Sequence, residues 1–111
     1  MSNLEQLILL HQEMMMHSPL VSIIMPAYNA EQYVSDAILS VISQDYENWE
    51  LLVIDDCSTD DTSKIINKFV KIDSRIKPVF NSINGGTPAK AKNKALPLVK
   101  GNYVAFLDSD D

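Results

Sequence analysis

Glycine and proline are scarce, 3 and 5 residues among 111, which excludes collagen-like and low-complexity classes. A single cysteine, Cys57, excludes an internal disulfide framework and a multi-cysteine metal site. The only histidines, His11 and His17, precede the first strand-like run, so a Ser-His-Asp or Cys-His relay is not expected. No apolar run approaches the roughly 18 residues that a membrane helix needs. Leu7 to Leu10 is too short for a signal-peptide core, and no Lys or Arg precedes it. Basic residues are absent from residues 1–63, which hold 11 acidic ones; all 9 Lys and Arg follow, with 4 acids, giving −6 overall. An acidic chain of this kind does not suit general nucleic-acid binding. A small anionic ligand remains compatible, held by local lysines or by a cation seated between carboxylates. What is present, 46% hydrophobic and 22% charged residues, suits one folded domain. The expectation is a soluble, intracellular, cytoplasmic protein.

The pattern reads strand, helix, strand, helix, strand, helix, strand. Leu20 to Met25 is an apolar run ending at Pro26. Tyr33, Val34, Ala37, Ile38, Val41 and Ile42 recur at helical spacing and predict a helix over 31–43. Leu51 to Ile54 is a second run. Ser58, Thr59, Asp60 and Asp61 read as a helix start before the stripe Ile65, Ile66, Phe69 and Val70. Ile76 to Phe80 is a weaker strand whose Pro78 suits a sheet edge. Thr87-Pro88 opens a third helix that Pro97 ends or bends, Gly101 is a stop, and Tyr103 to Leu107 is the fourth strand. Nearly all-apolar strands predict a parallel sheet covered by helices on both faces, an α/β/α three-layer, Rossmann-like architecture. Leu4, Leu7, Ile8, His11 and Met15 predict a short helix within residues 1–18. That helix is expected to pack on the domain or on a second copy, since no basic residues flank it for membrane binding.

In such sheets ligands bind at the carboxyl ends of the strands. Pro26-Ala27-Tyr28-Asn29 follows the first strand, Asp55-Asp56 the second, and Asp108-Ser109-Asp110-Asp111 the fourth. Five carboxylates on one rim repel each other unless a cation sits between them. Hard oxygen ligands suit Mg²⁺ or Mn²⁺ rather than zinc. Each element also has a plainer reading. Asp60 and Asp61 serve a helix start, Asp55-Asp56 a turn, Asp108 to Asp111 a solubilising terminus, and Tyr33 and Trp49 the packing. No glycine lies in Met25 to Ala30, against a dinucleotide fingerprint, and no P-loop motif is present.

As a set, Val21-Ser-Ile-Ile-Met-Pro-Ala-Tyr-Asn29, Leu52-Val-Ile-Asp-Asp-Cys-Ser-Thr-Asp60, Asn84-Gly-Gly86 with Lys92-Asn93, and Gly101-Asn-Tyr-Val-Ala-Phe-Leu-Asp-Ser-Asp-Asp111 resemble the nucleotide-sugar half of an inverting family 2 glycosyltransferase with the A-type fold. The resemblance spans residues 19–111. It implies that Pro26, Ala27, Tyr28 and Asn29 lie against base and ribose, and that Asp56 hydrogen-bonds the base, usually uracil, with Asp55 beside it. It further implies that Asp108 approaches the ribose or a metal-bound water and that Asp110 binds a divalent cation, Mn²⁺ or Mg²⁺, on the diphosphate. Lys92 stands where the family usually has Arg near the diphosphate, with Lys90 as the alternative; Lys keeps the charge and loses the bidentate fork. Cys57 stands where the family usually has Gly, so a positive φ there strains the turn.

The implied partners are a nucleotide-sugar and, in a longer protein, a glycan or lipid-linked acceptor at the inner face of the membrane. Family members carry their acceptor site and catalytic base in later residues, so no catalytic base is assigned and these 111 residues are expected to transfer no sugar alone. The fourth strand is expected to lack a neighbour on one edge, which invites self-association through that edge or through the N-terminal helix. Two other classes compete: a phosphoacceptor receiver domain, with Asp55-Asp56 and Asp108 around Mg²⁺, and a non-enzymatic interaction remnant.

Overall fold

The computed structural model describes residues 2–81 and 95–108. Helix α1 (Asn3–His17) leads to strand β1 (Val21–Ala27), helix α2 (Val34–Ile42), strand β2 (Trp49–Asp56), helix α3 (Thr62–Ile72) and strand β3 (Ile76–Asn81). A 3₁₀ turn over Leu96–Leu98 precedes strand β4 (Tyr103–Phe106). The four strands form one parallel sheet in the order β3-β2-β1-β4. The predicted third helix falls largely outside the described residues. Its end agrees with Pro97, which sits in the 3₁₀ turn.

Alternation along β1 and β2 splits the core into two layers. Ile23, Met25, Ala27, Leu51 and Val53 pack against Val34, Ala37, Ile38 and Val41 of α2 and Ile66 of α3. Ile24, Leu52 and Ile54 face the other way, onto Val79, Ala95 and Val99. All eight residues of β2 are buried, as a strand covered on both faces requires. Each fully buried Leu or Ile contributes about 2 kcal/mol. The same expectation fails for β4, whose four residues are all exposed. They are as apolar as those of β1, but no described element packs over them. Composition registers a strand's character and not its cover.

Two prolines are accommodated by position. Pro78 lies in β3, at the sheet edge, as expected. Pro26 lies inside β1, opposite Ile54, so β1 runs two residues past the predicted end at Met25. The β1–β4 pairing ends at Ile24–Phe106, with Leu107 N–H donating to Ile24 C=O. By the alternation of ladder bonds Pro26 faces that vacated side, and its missing N–H costs no bond.

Other boundaries moved slightly. Residues 31–33 form a turn, so α2 starts at Val34, and Tyr33 is half exposed rather than a packing residue. Trp49 is buried as expected, and Arg75 lies 3.8 Å over its ring, held by Asp73 at 2.7 Å and the Glu47 carbonyl at 2.8 Å. The predicted N-terminal helix is α1, but Leu4, Leu7, Ile8, Leu9 and Leu10 are 48–67% exposed. Packing of that face on the domain is therefore not what the structure has. Among the described residues no helix is long and apolar enough to cross a membrane.

Two carboxylates away from the strand-end loops carry depressed pKa values. The Arg75 guanidinium beside Asp73 holds its carboxyl below the usual range. Burial pushes Glu50 up, but hydrogen bonds from Ser22 and the Lys100 N–H, together with Lys77, outweigh it and leave it lowered. A carboxylate depressed in the native state adds stability above its unfolded pKa and loses it as pH falls through the native one. Both contributions are thus intact at neutral pH and vanish below about pH 4. Thermal melts across pH 7 to 2 are expected to show the melting temperature dropping mainly at that acid end. A fall concentrated between pH 7 and 5 would contradict this.

Candidate functional site

Parallel strands bring every carboxyl end to one rim. β1 leads to β2 on one side and is flanked by the returning β4 on the other, so the strand order reverses between β1 and β4. Ligand crevices in open α/β sheets form at such switch points. Tyr28 and Asn29 leave β1 there, both exposed. Asp108 follows β4 two residues past the Ile24–Phe106 pair, on the Pro26 side, and is exposed. Asp55 and Asp56 end β2, opposite Ala27 of β1 and Asn81 of β3 respectively.

The β1–α2 and β2–α3 loops are built as one unit. Asn29 sits at φ 47°, a left-handed conformation that Asn tolerates better than most residues. Its N–H donates to Ser58 Oγ at 3.0 Å, and its Oδ1 accepts from Thr59 N–H at 2.8 Å and Thr59 Oγ1 at 3.3 Å. Ala30 N–H donates to Thr62 Oγ1 at 2.8 Å. Thr62 Oγ1 in turn donates to Asp60 Oδ1 at 2.5 Å. Glu31 N–H donates to Asp60 and Asp61 N–H to Glu31, each at 3.2 Å. Burial works against the Asp60 charge, but the Thr62 side-chain and backbone donors with Glu31 N–H hold its pKa below the ordinary value. Asp60 is thus a helix-start residue, as expected, and also a brace between loops.

The predicted site residues divide on this geometry. Asp55 is buried, and its Oδ1 accepts Ser58 N–H at 2.9 Å; it shapes the turn. Asp56 is 5% exposed, and its Oδ1 accepts Asn81 Nδ2 at 3.1 Å. Ala27 is buried under α2 and α3, so its side chain faces the core; of the loop Pro26 to Asn29 expected against base and ribose, Pro26 and Ala27 belong to β1 and only Tyr28 and Asn29 lie beyond the strand. Pro26 is half-buried within β1. Lys92, Lys90, Asp110 and Asp111 lie outside the described residues. Among the described residues no three His, Cys, Asp or Glu side chains converge to hold a metal; of the five acids expected to meet on the rim, Asp55, Asp56 and Asp108 are described and do not form such a group. Sequence reasoning overlooked Ser58, Thr59 and Thr62 as the brace. Its trace was the Asp55-x-x-Ser58 spacing, which suits a side-chain-closed turn.

Cys57 takes φ 62°, the conformation that the resemblance made costly for a side chain. Cys57→Gly removes about 1 kcal/mol of left-handed strain and adds somewhat less in chain entropy. The substitution is expected to raise stability by about 0.5 kcal/mol. A clear loss of stability in denaturant unfolding would show that the Cys57 side chain contributes more than its strain.

Residues 22–111 match the family described as glycosyl transferase family 2, and the chain belongs to that family. The receiver-domain alternative is thereby set aside. Over 92 residues the chain is 53% identical to the UDP-Glc:alpha-D-GlcNAc-diphosphoundecaprenol beta-1,3-glucosyltransferase WfgD of Escherichia coli, covering 83% of this chain and 35% of that protein. TarS of S. aureus, solved in complex with UDP, superposes with a TM-score of 0.76 at 38% identity, over 81% of this chain and 27% of TarS. A mannosyltransferase from Pyrobaculum calidifontis, solved with GDP-Man and Mn²⁺, gives a TM-score of 0.76 at 28% identity, over 83% of this chain and 28% of that one. The fold is the A-type glycosyltransferase fold, as the sequence led one to expect. The chain spans about a third, or less, of the length of these relatives.

Proposed function

We propose that residues 19–111 are the donor-binding part of a glycosyltransferase of glycan or polysaccharide synthesis. The donor is a nucleotide-diphosphate sugar, UDP-linked by preference, and a divalent cation, Mn²⁺ or Mg²⁺, accompanies it. The reading rests on one observation: Asn29, Asp56 and Asp108 leave three strand ends along one rim, at the switch point, in a fold whose solved neighbours include one with UDP and one with GDP-Man and Mn²⁺. Tyr28 and Asn29 are assigned to base and ribose, and Asp56 accepts a hydrogen bond from the base. Asp108 takes the ribose or a metal-bound water, Asp110 the cation, and Lys92 the diphosphate charge.

The donor set fits a hard cation. Mg²⁺ and Mn²⁺ need only one or two carboxylates when substrate phosphates supply further oxygens, and Asp108 is an exposed carboxylate at the crevice. When bound, the cation offsets the charge that builds on the departing nucleoside diphosphate. The chain's own contribution is to hold the nucleotide: the loop brace fixes Asn29, and Asn81 holds Asp56 at the end of β2, before the ligand arrives, which lowers the ordering cost of binding. Attack by an acceptor hydroxyl also needs a base. No residue here is given that role, so these 111 residues are proposed to bind donor without transferring sugar, with a lipid-linked acceptor engaged by a longer protein.

Calorimetric titration with UDP tests this. Saturable binding that tightens when Mn²⁺ replaces EDTA is expected. Absence of UDP binding in both conditions would refute the proposal and favour a remnant that keeps the fold without the site.

A further inference from the structure

A second polar cluster lies at the opposite end of the sheet. Glu50 is a charged residue inside the apolar strand β2, 3% exposed, in register with Ser22 of β1. Its Oε2 accepts Ser22 Oγ at 2.5 Å and Lys100 N–H at 2.7 Å, and its Oε1 takes Lys77 Nζ at 2.9 Å. Ser22 Oγ in turn accepts Gly101 N–H at 2.8 Å. β2 and β4 are not neighbours, so Glu50 reaches over β1 to the residues that lead into β4. The approach is tight: a Cβ on Gly101 would lie 2.5 Å from Ser22 Oγ and 2.7 Å from the Leu20 carbonyl. Only glycine permits it.

β4 needs such an anchor. Its side chains are all exposed, so little apolar burial holds it, and its pairing with β1 covers only four residues. A slip of one residue would turn every side chain to the other face, and a slip of two would move the strand end about 6.6 Å. Asp108 lies just beyond that end.

We infer that Glu50, through Ser22 and the Lys100 and Gly101 amides, is a positioning residue that sets the register of β4 and so places Asp108 at the cation side of the nucleotide site. The inference rests on the donor-binding reading above. It separates the two sides of the site: Asn29 lies in the β1–α2 loop and Asp56 at the far end of β2, six residues from Glu50 and held by Asn81 rather than by the clamp, whereas Asp108 depends on β4.

The test measures UDP affinity in EDTA and in Mn²⁺ for the parent chain, Glu50→Gln and Ser22→Ala. In Glu50→Gln the tightening due to Mn²⁺ is expected to shrink tenfold or more, and in Ser22→Ala several-fold, while affinity in EDTA stays within twofold. Without metal or nucleotide, amide exchange of Tyr103 to Phe106 is expected to speed up in both variants while Leu51 to Ile54 stay protected. A merely structural Glu50 would lower both affinities together and loosen β2 as well; that result, or an unchanged Mn²⁺ effect, overturns the inference. If Glu50→Gln lacks a cooperative melt, Ser22→Ala decides on the same criteria. A parent chain with no Mn²⁺ effect would fell this inference, and one that binds no UDP would fell the donor-binding reading as well.

Discussion

Asp56→Ala is expected to weaken UDP binding by about 10- to 100-fold. The carboxylate is 5% exposed, and Asn81 Nδ2 occupies Oδ1 at 3.1 Å. A hydrogen bond from a base N–H to a carboxylate in so dry a place is worth about 1.5–3 kcal/mol, and each 1.4 kcal/mol is a factor of ten in affinity. Asp56→Asn separates charge from shape. It keeps the volume but offers one acceptor oxygen and an amide donor. Uracil presents N3–H as a donor, whereas cytosine presents N3 as an acceptor. The parent chain is therefore expected to prefer UDP over CDP, and Asp56→Asn to lose most of that preference. Titrations of both nucleotides against the three proteins decide it. Unaltered UDP affinity in a folded Asp56→Ala protein would remove Asp56 from the base site.

The second large effect is on stability. Asn29 supplies a left-handed backbone at φ 47° and accepts two hydrogen bonds from Thr59. Asn29→Ala pays about 1 kcal/mol for the conformation and loses about 1 kcal/mol for each bond at most. The expected cost is about 2–3 kcal/mol, or roughly 10–20 °C in melting temperature for a domain of this size. Asn29→Gly keeps the conformation and loses only the bonds, so it is expected to cost about 1–2 kcal/mol. The order Asn > Gly > Ala in denaturant unfolding is the signature. Equal losses would mean that the φ value is not what Asn29 provides. Both variants are also expected to weaken UDP binding, because the loop that carries Tyr28 is tied to the β2–α3 loop through these bonds.

Much of the architecture was legible because burial on both faces leaves an unmistakable trace. Leu51 to Ile54 and Ile23 to Met25 had to be interior strands of a parallel sheet, and the helical stripe from Val34 to Ile42 had to cover one face. Pro78 announced an edge, and the positive φ at Cys57 followed from the glycine that usually stands there. The site was legible more coarsely. Chain order put Asn29, Asp56 and Asp108 after strands, and parallel pairing placed them on one rim. Yet the same order could not tell a ligand-facing residue from a turn-former. Asp55 and Asp56 are adjacent and identical, but Asp55 closes a turn on Ser58 while Asp56 meets Asn81 from the next strand. Ala27 went the other way, into the core, because β1 continued through Pro26.

By itself, then, the amino-acid order determined the periodicities, the parallel α/β class and the set of residues available to a donor site, since these depend on neighbours three or four positions apart. The tertiary structure alone decided what depends on partners far along the chain. Glu50 reads as a misplaced charge until Ser22, Lys77 and Lys100, 27 to 50 positions away, converge on it. β4 reads as buried, yet its four residues are exposed and no described element packs over them. Hydrogen bonds and cover are properties of space, and only folding brings those distant groups within reach.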